Sequence, residues 1–169
     1  MYSSIFILMS ACSPLKQATQ NLDRSVLNSG NITLLNGTYN RTSTPEDTSN
    51  MDDLLWIFFV LGQEPGDKVK LEITQNNRLK VTVLTKSKIE RTKIYRGRID
   101  NGQFIVKGIT QFYPCLVFNL YRKRKIRLSV MRNGDLIVDS RISGFGLSLM
   151  LPVPFFFNEK TYDKVFKKI

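Results

Sequence analysis

The chain of 169 residues contains no histidine and only two cysteines, Cys12 and Cys115. Without histidine, the Ser-His-Asp and Cys-His arrangements of nucleophilic catalysis are excluded, together with the commonest zinc ligand. Carboxylates with metal-type spacing and a glycine-rich phosphate loop are also missing, so catalysis would depend on unpaired Asp or Glu side chains. The sequence therefore predicts a protein that is not an enzyme and that uses neither a metal nor a cofactor.

Acidic residues are scarce, because 14 Asp and Glu face 25 Lys and Arg, which gives a net charge of +11. Such an excess favours anionic partners such as lipid headgroups, acidic polysaccharide or nucleic acid. Nucleic acid is the least expected of these partners, since no recognised nucleic-acid-binding motif adjoins the basic residues.

Long apolar runs are missing as well, and none reaches the roughly 20 residues of a membrane-spanning helix. A short apolar run at residues 5–8 leads into Met9-Ser10-Ala11-Cys12, the arrangement at which bacterial lipoprotein signals are cut and the cysteine is acylated. Several acyl chains on Cys12 would anchor the protein stably to a membrane. We predict that residues 1–12 are a lipoprotein-type signal ending at the lipobox Cys12; an ordinary apolar N-terminal segment is the alternative.

The remaining chain divides into a tether and one domain. Residues 13–34 are rich in Ser, Asn, Gln and Thr, and we interpret them as a polar tether. Residues 35–169 are short enough to fold around one core. Cys115 lies in an apolar stretch, which indicates an inert buried thiol rather than a nucleophile.

Residues 50–62 carry the start and stop signals of a short helix. Asn50 and the acids Asp52 and Asp53 precede an apolar run that ends at Gly62, as caps and first-turn acids precede helices. We predict a short buried helix near 51–61. A central strand is the competing interpretation, because the periodicity of eight apolar residues does not by itself distinguish a helix from a strand.

After Asp67, apolar and polar residues alternate with a period of two, which indicates antiparallel strands with one wet face. Asn101-Gly102 and Asn133-Gly134 are strong hairpin turns. About eight short strands at near-regular spacing predict a mainly β fold, either a sandwich or an up-and-down barrel. A charged C-terminal helix is predicted near 159–168.

Five segments carry a family resemblance, at residues 35–39, 55–56, 96–104, 124–128 and 133–139. In their order and spacing they resemble a family of small lipoproteins common in Bacteroidetes, whose domain looks lipocalin-like. Gly37-Thr38-Tyr39 is similar to the Gly-x-Trp that opens lipocalin strands, with Tyr in place of Trp. The resemblance implies an antiparallel, up-and-down, lipocalin-like β-barrel in a lipoprotein of the bacterial cell envelope, anchored at the outer membrane. It transfers no catalytic residue.

Two basic clusters, at residues 86–98 and 122–132, hold 12 of the 25 basic residues. One interpretation is a solvated outer sheet face together with an exposed hairpin tip at residues 122–125. The functional interpretation is electrostatic contact with anionic lipid or an acidic polymer. The candidate anion-binding residues are Arg96, Arg98, Arg122, Lys123, Arg124, Lys125 and Arg127.

The interior of the predicted barrel is the other candidate site, because eight strands leave room for packed side chains or for one small ligand. Ordinary core packing is the alternative for every aromatic residue. Phe155-Phe156-Phe157 stands apart, since three consecutive rings cannot all point inward, and one of them is expected to touch a ligand, a partner or the membrane. The candidate lining residues are Trp56, Phe104, Phe118 and Phe145.

Two functional hypotheses follow. In the first, a membrane-anchored lipoprotein binds a small apolar or amphiphilic ligand inside its barrel. In the second, the barrel is a filled scaffold, and its basic surface binds anionic envelope polymers, lipid headgroups or a partner protein. A hollow interior would favour the first hypothesis and a plugged interior the second.

Overall fold

The computed structural model describes residues 22–44, 53–59, 66–86, 88–114, 118–148 and 154–169. These residues form mainly β structure, with one six-residue helix, α1 (Leu54–Phe59), and two short 3-10 turns at Ile32–Leu35 and Gln75–Asn77. The strands are β1 (Arg24–Ser25), β2 (Gly37–Asn40), β3 (Lys68–Thr74), β4 (Arg78–Thr85), β5 (Lys88–Asp100), β6 (Gln103–Pro114), β7 (Phe118–Met131), β8 (Leu136–Ser148) and β9 (Pro154–Phe166).

The strands form an antiparallel sheet in which neighbours in sequence are neighbours in space. The order is β2-β3-β4-β5-β6-β7-β8-β9, and β1 pairs separately with β7. The sheet curls into a half-barrel. The prediction of a mainly β, antiparallel fold is confirmed at this level, and its cause is the period-two pattern that gives each strand one apolar face.

The two ends of the half-barrel, a closed end and an open end, differ in how their strands are joined. At the closed end, main-chain hydrogen bonds run from the Asn40 amide to the Lys167 carbonyl and from the Ile169 amide to the Thr38 carbonyl, each 2.9 Å long. These bonds join the segment of β2 to the residues that follow β9. The open end consists of the far parts of β6–β9, at residues 109–114, 118–124, 142–148 and 154–159.

The hairpin predicted at Asn101-Gly102 joins β5 to β6. Both residues have positive φ, 49° and 73°, as a type I′ turn requires, and Asn and Gly adopt this conformation at the lowest cost. Only residues 97–100 of β5 are matched with β6, at residues 103–106. Elsewhere β5 pairs with β4, while β6 pairs with β7, so the sheet turns at this hairpin.

The core lies inside the curl and is filled in part by α1. Leu54, Leu55 and Phe58 are fully buried in the same apolar cluster as Phe104 of β6. Helix α1 lies within the range 51–61 predicted as a buried helix, and residues 51, 52, 60 and 61 lie outside the described part of the chain. The inside of the sheet is therefore occupied by protein.

Part of the segment interpreted as a tether packs on the sheet. Leu27 and Ile32 are 2% and 7% exposed and belong to the core cluster. The Leu27 amide donates to the Gly102 carbonyl at 2.9 Å. Leu27 and Ile32 thus attach the described part of this segment, residues 22–34, to the β domain, and residues 13–21 lie outside the described ranges.

The C-terminal helix predicted at 159–168 is wrong, because β9 runs to Phe166 and pairs with β8. A sheet edge offers main-chain partners along its whole length, and this outweighs a weak helical spacing of Tyr162, Val165 and Phe166. A bulge absorbs the polar Asp163, which has a φ of 57° and whose amide donates to the Asp139 carboxylate at 2.9 Å.

The hairpin tip predicted at residues 122–125 is also wrong. These four basic residues lie in the middle of β7, which continues without a turn from Phe118 to Met131. Both neighbouring strands pair with this stretch, so its main-chain groups are satisfied on either side. Four consecutive charges are typical of an exposed turn. In this structure they are accommodated in a strand, because alternation places them on two faces of the sheet.

Candidate functional site

Strand β7 distributes its basic residues over the two faces of the sheet. Side chains alternate along a strand, so Arg122 and Arg124 share the inner face with the core residue Ile126. Lys123 and Lys125 lie on the opposite, outer face. The basic run therefore contributes to two chemically different places.

On the outer face, basic residues from three strands line a cleft of about 880 Å³, which we call the cationic cleft. It brings Arg98, from the first basic cluster of the sequence, together with residues of the second cluster. The lining residues are Arg98, Asp100, Asn101, Gln103, Ile105, Val106, Lys107, Gly108, Lys123, Lys125 and Arg127.

The register of the strands explains how the cationic cleft forms. Ile105 of β6 lies opposite Arg98 on one side and opposite Arg127 on the other. The register of β6 against β7 shifts between Val106 and Ile109, which marks an irregularity of the bulge type. Bulges bend a strand and re-aim its side chains, and this one falls at Lys107.

The electrostatics of the cationic cleft are dominated by positive charge. Among its described lining residues, Asp100 is the one carboxylate, and it lies 3.3 Å from the Arg98 guanidinium. Arg127 forms an ion pair with Asp139, which is 1% exposed; the guanidinium and carboxylate groups are 3.4 Å apart. With five cations and one lining carboxylate, the cleft has the charge to attract phosphate, sulfate or carboxylate groups.

Arg124 has a different environment, although the sequence grouped it with the anion-binding candidates. It is 1% exposed and donates hydrogen bonds to the carbonyls of Trp56 and Ile57, near the C-terminal end of α1. Carbonyls in the last turn of a helix lack intrahelical partners, and a cation there also favours the helix dipole. The geometry makes Arg124 a clamp on α1, so its assignment to an anion-binding surface is corrected.

Arg122 also lies on the inner face. Its guanidinium carbon is 5.7 Å from the centre of the Trp56 ring and 5.5 Å from that of Phe157, both within cation–π range. Nearby, the Lys93 ammonium lies 5.1 Å from the Phe59 ring. Burial, followed by the charges of Arg91 and Arg124, lowers the pKa of Lys93 from its usual value.

The predicted lining aromatics do not share one cavity. Phe104 is fully buried in the core, and Trp56 on α1 faces Arg122. Phe145 is 46% exposed and shares the outer face with Tyr121, opposite it in the sheet, so its assignment to the interior is wrong. The side chain of Phe118 and all of Cys12 lie outside the described part of the chain.

The positions of Arg96 and Lys107 also differ from what the sequence predicted for the anion-binding site. Arg96 lies opposite Arg78 at the β4–β5 pairing and is not a lining residue of the cationic cleft. Lys107 does line the cleft, but it was not a candidate. It is isolated between Val106 and Gly108, and its position depends on a register shift that the sequence pattern does not indicate.

Comparison of the chain with protein-family models, with curated proteins and with solved structures gave no match. Within the described ranges, the structure contains no group of three or more acidic or cysteine side chains that is placed to hold a metal ion. In the same ranges, no helix combines the length and apolar character needed to cross a membrane.

Proposed function

We propose that this protein is a non-enzymatic binding module, a filled scaffold whose cationic cleft binds anionic groups of the cell envelope. The observation that carries the proposal is the convergence of Arg98, Lys107, Lys123, Lys125 and Arg127 on one cleft of about 880 Å³. These residues come from three strands; Arg98 belongs to the first basic cluster, Lys107 to neither cluster, and the other three to the second. A merely solvated surface would not require them to meet around one concavity.

The packing of the interior supports the filled-scaffold hypothesis over uptake of an apolar ligand. The inner face of the half-barrel is covered by α1, whose residues Leu54, Leu55 and Phe58 are fully buried. Phe104, a candidate lining residue, contributes to the same packed cluster. In this proposal the fold is lipocalin-like in strand order but uses its outer face for recognition.

Acylation of Cys12 is a second part of the proposal, and it would hold the cationic cleft close to lipid headgroups and acidic polymers of the outer membrane. Two or more acyl chains give stable anchoring, whereas one chain is marginal. Metabolic labelling with a fatty acid analogue tests this part. The native chain should incorporate the label and sediment with membranes, and Cys12→Ser should do neither; label on the Cys12→Ser chain would contradict it.

Charge reversal tests the cationic cleft. The double variant Lys123→Glu/Lys125→Glu should weaken binding to a soluble polyanion such as polyphosphate by about tenfold or more, since each basic residue near an anionic surface contributes about 1 kcal/mol. Fluorescence anisotropy with labelled polyphosphate measures the affinity. Binding by the native chain should also fall steeply with added salt.

A matched control separates the cleft from the overall charge. Lys86→Glu/Lys88→Glu changes the net charge equally at two exposed residues, one after the end of β4 and one at the start of β5. This control should bind polyphosphate within about twofold of the native chain, once the smaller long-range effect is screened by salt. Equal losses in the two double variants would show that binding depends on net charge and would overturn the assignment to the cleft.

A further inference from the structure

An aromatic row crosses the outer face of the open end. Phe112 of β6 lies opposite Tyr121 of β7, Tyr121 opposite Phe145 of β8, and Phe145 opposite Phe156 of β9. The Tyr121 and Phe145 rings are stacked, with centres 5.4 Å apart, and the Phe145 and Phe156 rings are 6.5 Å apart. Four neighbouring strands thus contribute one ring each to a continuous surface, which we call the aromatic row.

The aromatic row is exposed to an unusual degree. Phe112, Phe145 and Phe156 are 60%, 46% and 69% exposed, and Leu147 beside them is 39% exposed. Single exposed apolar residues are common, but a contiguous exposed apolar patch marks an interaction surface. Phe155 and Phe157 lie on the other face by alternation, so Phe156 is the ring of this triplet that belongs to the row.

Basic residues lie next to the aromatic row, on the same face of the sheet. Lys123 lies on the same face, two residues along β7 from Tyr121, which is about 7 Å in a strand. Lys125 follows at twice that distance and leads into the cationic cleft.

We propose that the aromatic row docks the open end on an anionic lipid bilayer. Phenylalanine rings add apolar area that can be buried at the boundary between headgroups and acyl chains. Tyr121, whose ring has a polar hydroxyl, prefers the level of the headgroups. Lys123 and Lys125, set back from the row, then meet lipid phosphates, to which basic residues are attracted within a Debye length. This inference rests on the proposed function and specifies that the anions of the cleft belong to lipid headgroups.

Vesicle sedimentation tests the proposal on the full chain carrying Cys12→Ser, so that acyl chains cannot contribute. The chain should bind vesicles that contain phosphatidylglycerol far more strongly than vesicles of phosphatidylcholine alone. Phe145→Ala/Phe156→Ala should reduce this binding by about tenfold or more, because each ring loses part of the apolar transfer energy of a phenylalanine. Its affinity for soluble polyphosphate should be unchanged.

The control variant is Ile94→Ala, which removes an apolar side chain that is 59% exposed on β5, outside the aromatic row. It should bind vesicles like the parent chain. Phe156→Trp should keep vesicle binding, and its added fluorescence should shift to shorter wavelength when anionic vesicles are present. Trp56 contributes the same background in both chains.

The outcomes separate this inference from the proposed function. Undiminished vesicle binding by Phe145→Ala/Phe156→Ala, or no spectral shift for Phe156→Trp, would overturn the docking surface while leaving polyphosphate binding by the cleft intact. Loss of polyphosphate binding in Lys123→Glu/Lys125→Glu without loss of vesicle binding would equally overturn it. Self-association of the parent chain that the double alanine variant abolishes would identify a second copy as the partner instead.

Discussion

The closed and open ends of the half-barrel are built from the same alternating sequence pattern but differ in how far their apolar side chains are buried. At the closed end, Tyr39, Leu136 and Phe166 are fully buried, and main-chain bonds join the two edges of the sheet. At the open end, Phe155 is 47% exposed on the same inner face of the half-barrel, and Phe156 is 69% exposed on the outer face. The difference teaches that alternation creates two faces, and that a residue's role depends on whether another element covers its face.

The comparison also separates stability from binding. Apolar burial at the closed end and around α1 stabilises the fold, whereas exposed rings at the open end contribute little to it. Binding surfaces are commonly found in the less stable parts of a protein. We therefore expect substitutions inside the curl to change the free energy of unfolding and those on the outer open end to change binding.

The largest expected effect is on the free energy of unfolding, and two matched truncations measure it. Phe104→Ala should lower the free energy of unfolding by about 3–5 kcal/mol, because it leaves a cavity in a packed core. Phe156→Ala should lower it by less than about 0.5 kcal/mol, since its ring is mostly in water. Urea denaturation followed by circular dichroism measures both. Similar losses for the two variants would break the distinction between the packed interior and the exposed row.

Arg124→Met sharpens the comparison within a single strand. The thioether keeps much of the side-chain volume but leaves the carbonyls of Trp56 and Ile57 without this donor, at an expected loss of about 3 kcal/mol. Lys123→Met, one residue away on the outer face, should change stability by less than about 0.5 kcal/mol. Thermal unfolding of the two variants checks this; a loss confined to Lys123→Met would contradict the assignment of the faces.

A smaller effect is expected from alkaline pH at the closed end. Burial, with a further contribution from Asp135, raises the pKa of Tyr39 to about 12. In the unfolded chain this hydroxyl ionises near its ordinary pKa of about 10, so stability is lost as pH rises from about 10 to about 12. The contribution of Tyr39 to this loss is on the order of 2 kcal/mol.

Tyr39→Phe provides the comparison for that pH dependence. At neutral pH it should cost about 1 kcal/mol, because the hydrogen bond from the Tyr39 hydroxyl to the Leu35 carbonyl is lost. Its stability should then decline less above about pH 10 than that of the native chain. The pKa of Tyr95 is also raised to about 12, mainly by burial, so a residual decline is expected. Parallel curves would contradict the burial of the Tyr39 hydroxyl.

Within residues 68–106, the strands and the Asn101-Gly102 turn were predictable because their signals are local. Alternation of apolar side chains needs only one buried face, and Asn101-Gly102 meets the positive-φ requirement of a tight hairpin without help from distant residues. The helix predicted at 159–168 failed for the opposite reason. Its residues form a strand because β8 lies alongside, and sequence pattern does not reveal the neighbour.

The cationic cleft was only half predictable. The charge of Lys123, Lys125 and Arg98 pointed to an anion-binding surface, but their convergence depends on the strand register. Arg124 has the same chemistry and is buried, because α1 presents carbonyls to its face. The two hydrogen bonds join Arg124 to residues that precede it by 68 and 67 positions in the sequence. No local pattern indicates contacts over such a separation.

The join between β2 and the residues after β9 also bears on how the chain acquires its structure. Thr38 and Ile169 are hydrogen-bonded across nearly the whole described sequence. Contacts of such long sequence separation slow folding, since the intervening loop must be ordered first. During synthesis this join cannot form until residue 169 has emerged from the ribosome, so the nascent chain stays incompletely folded and open to chaperones until then.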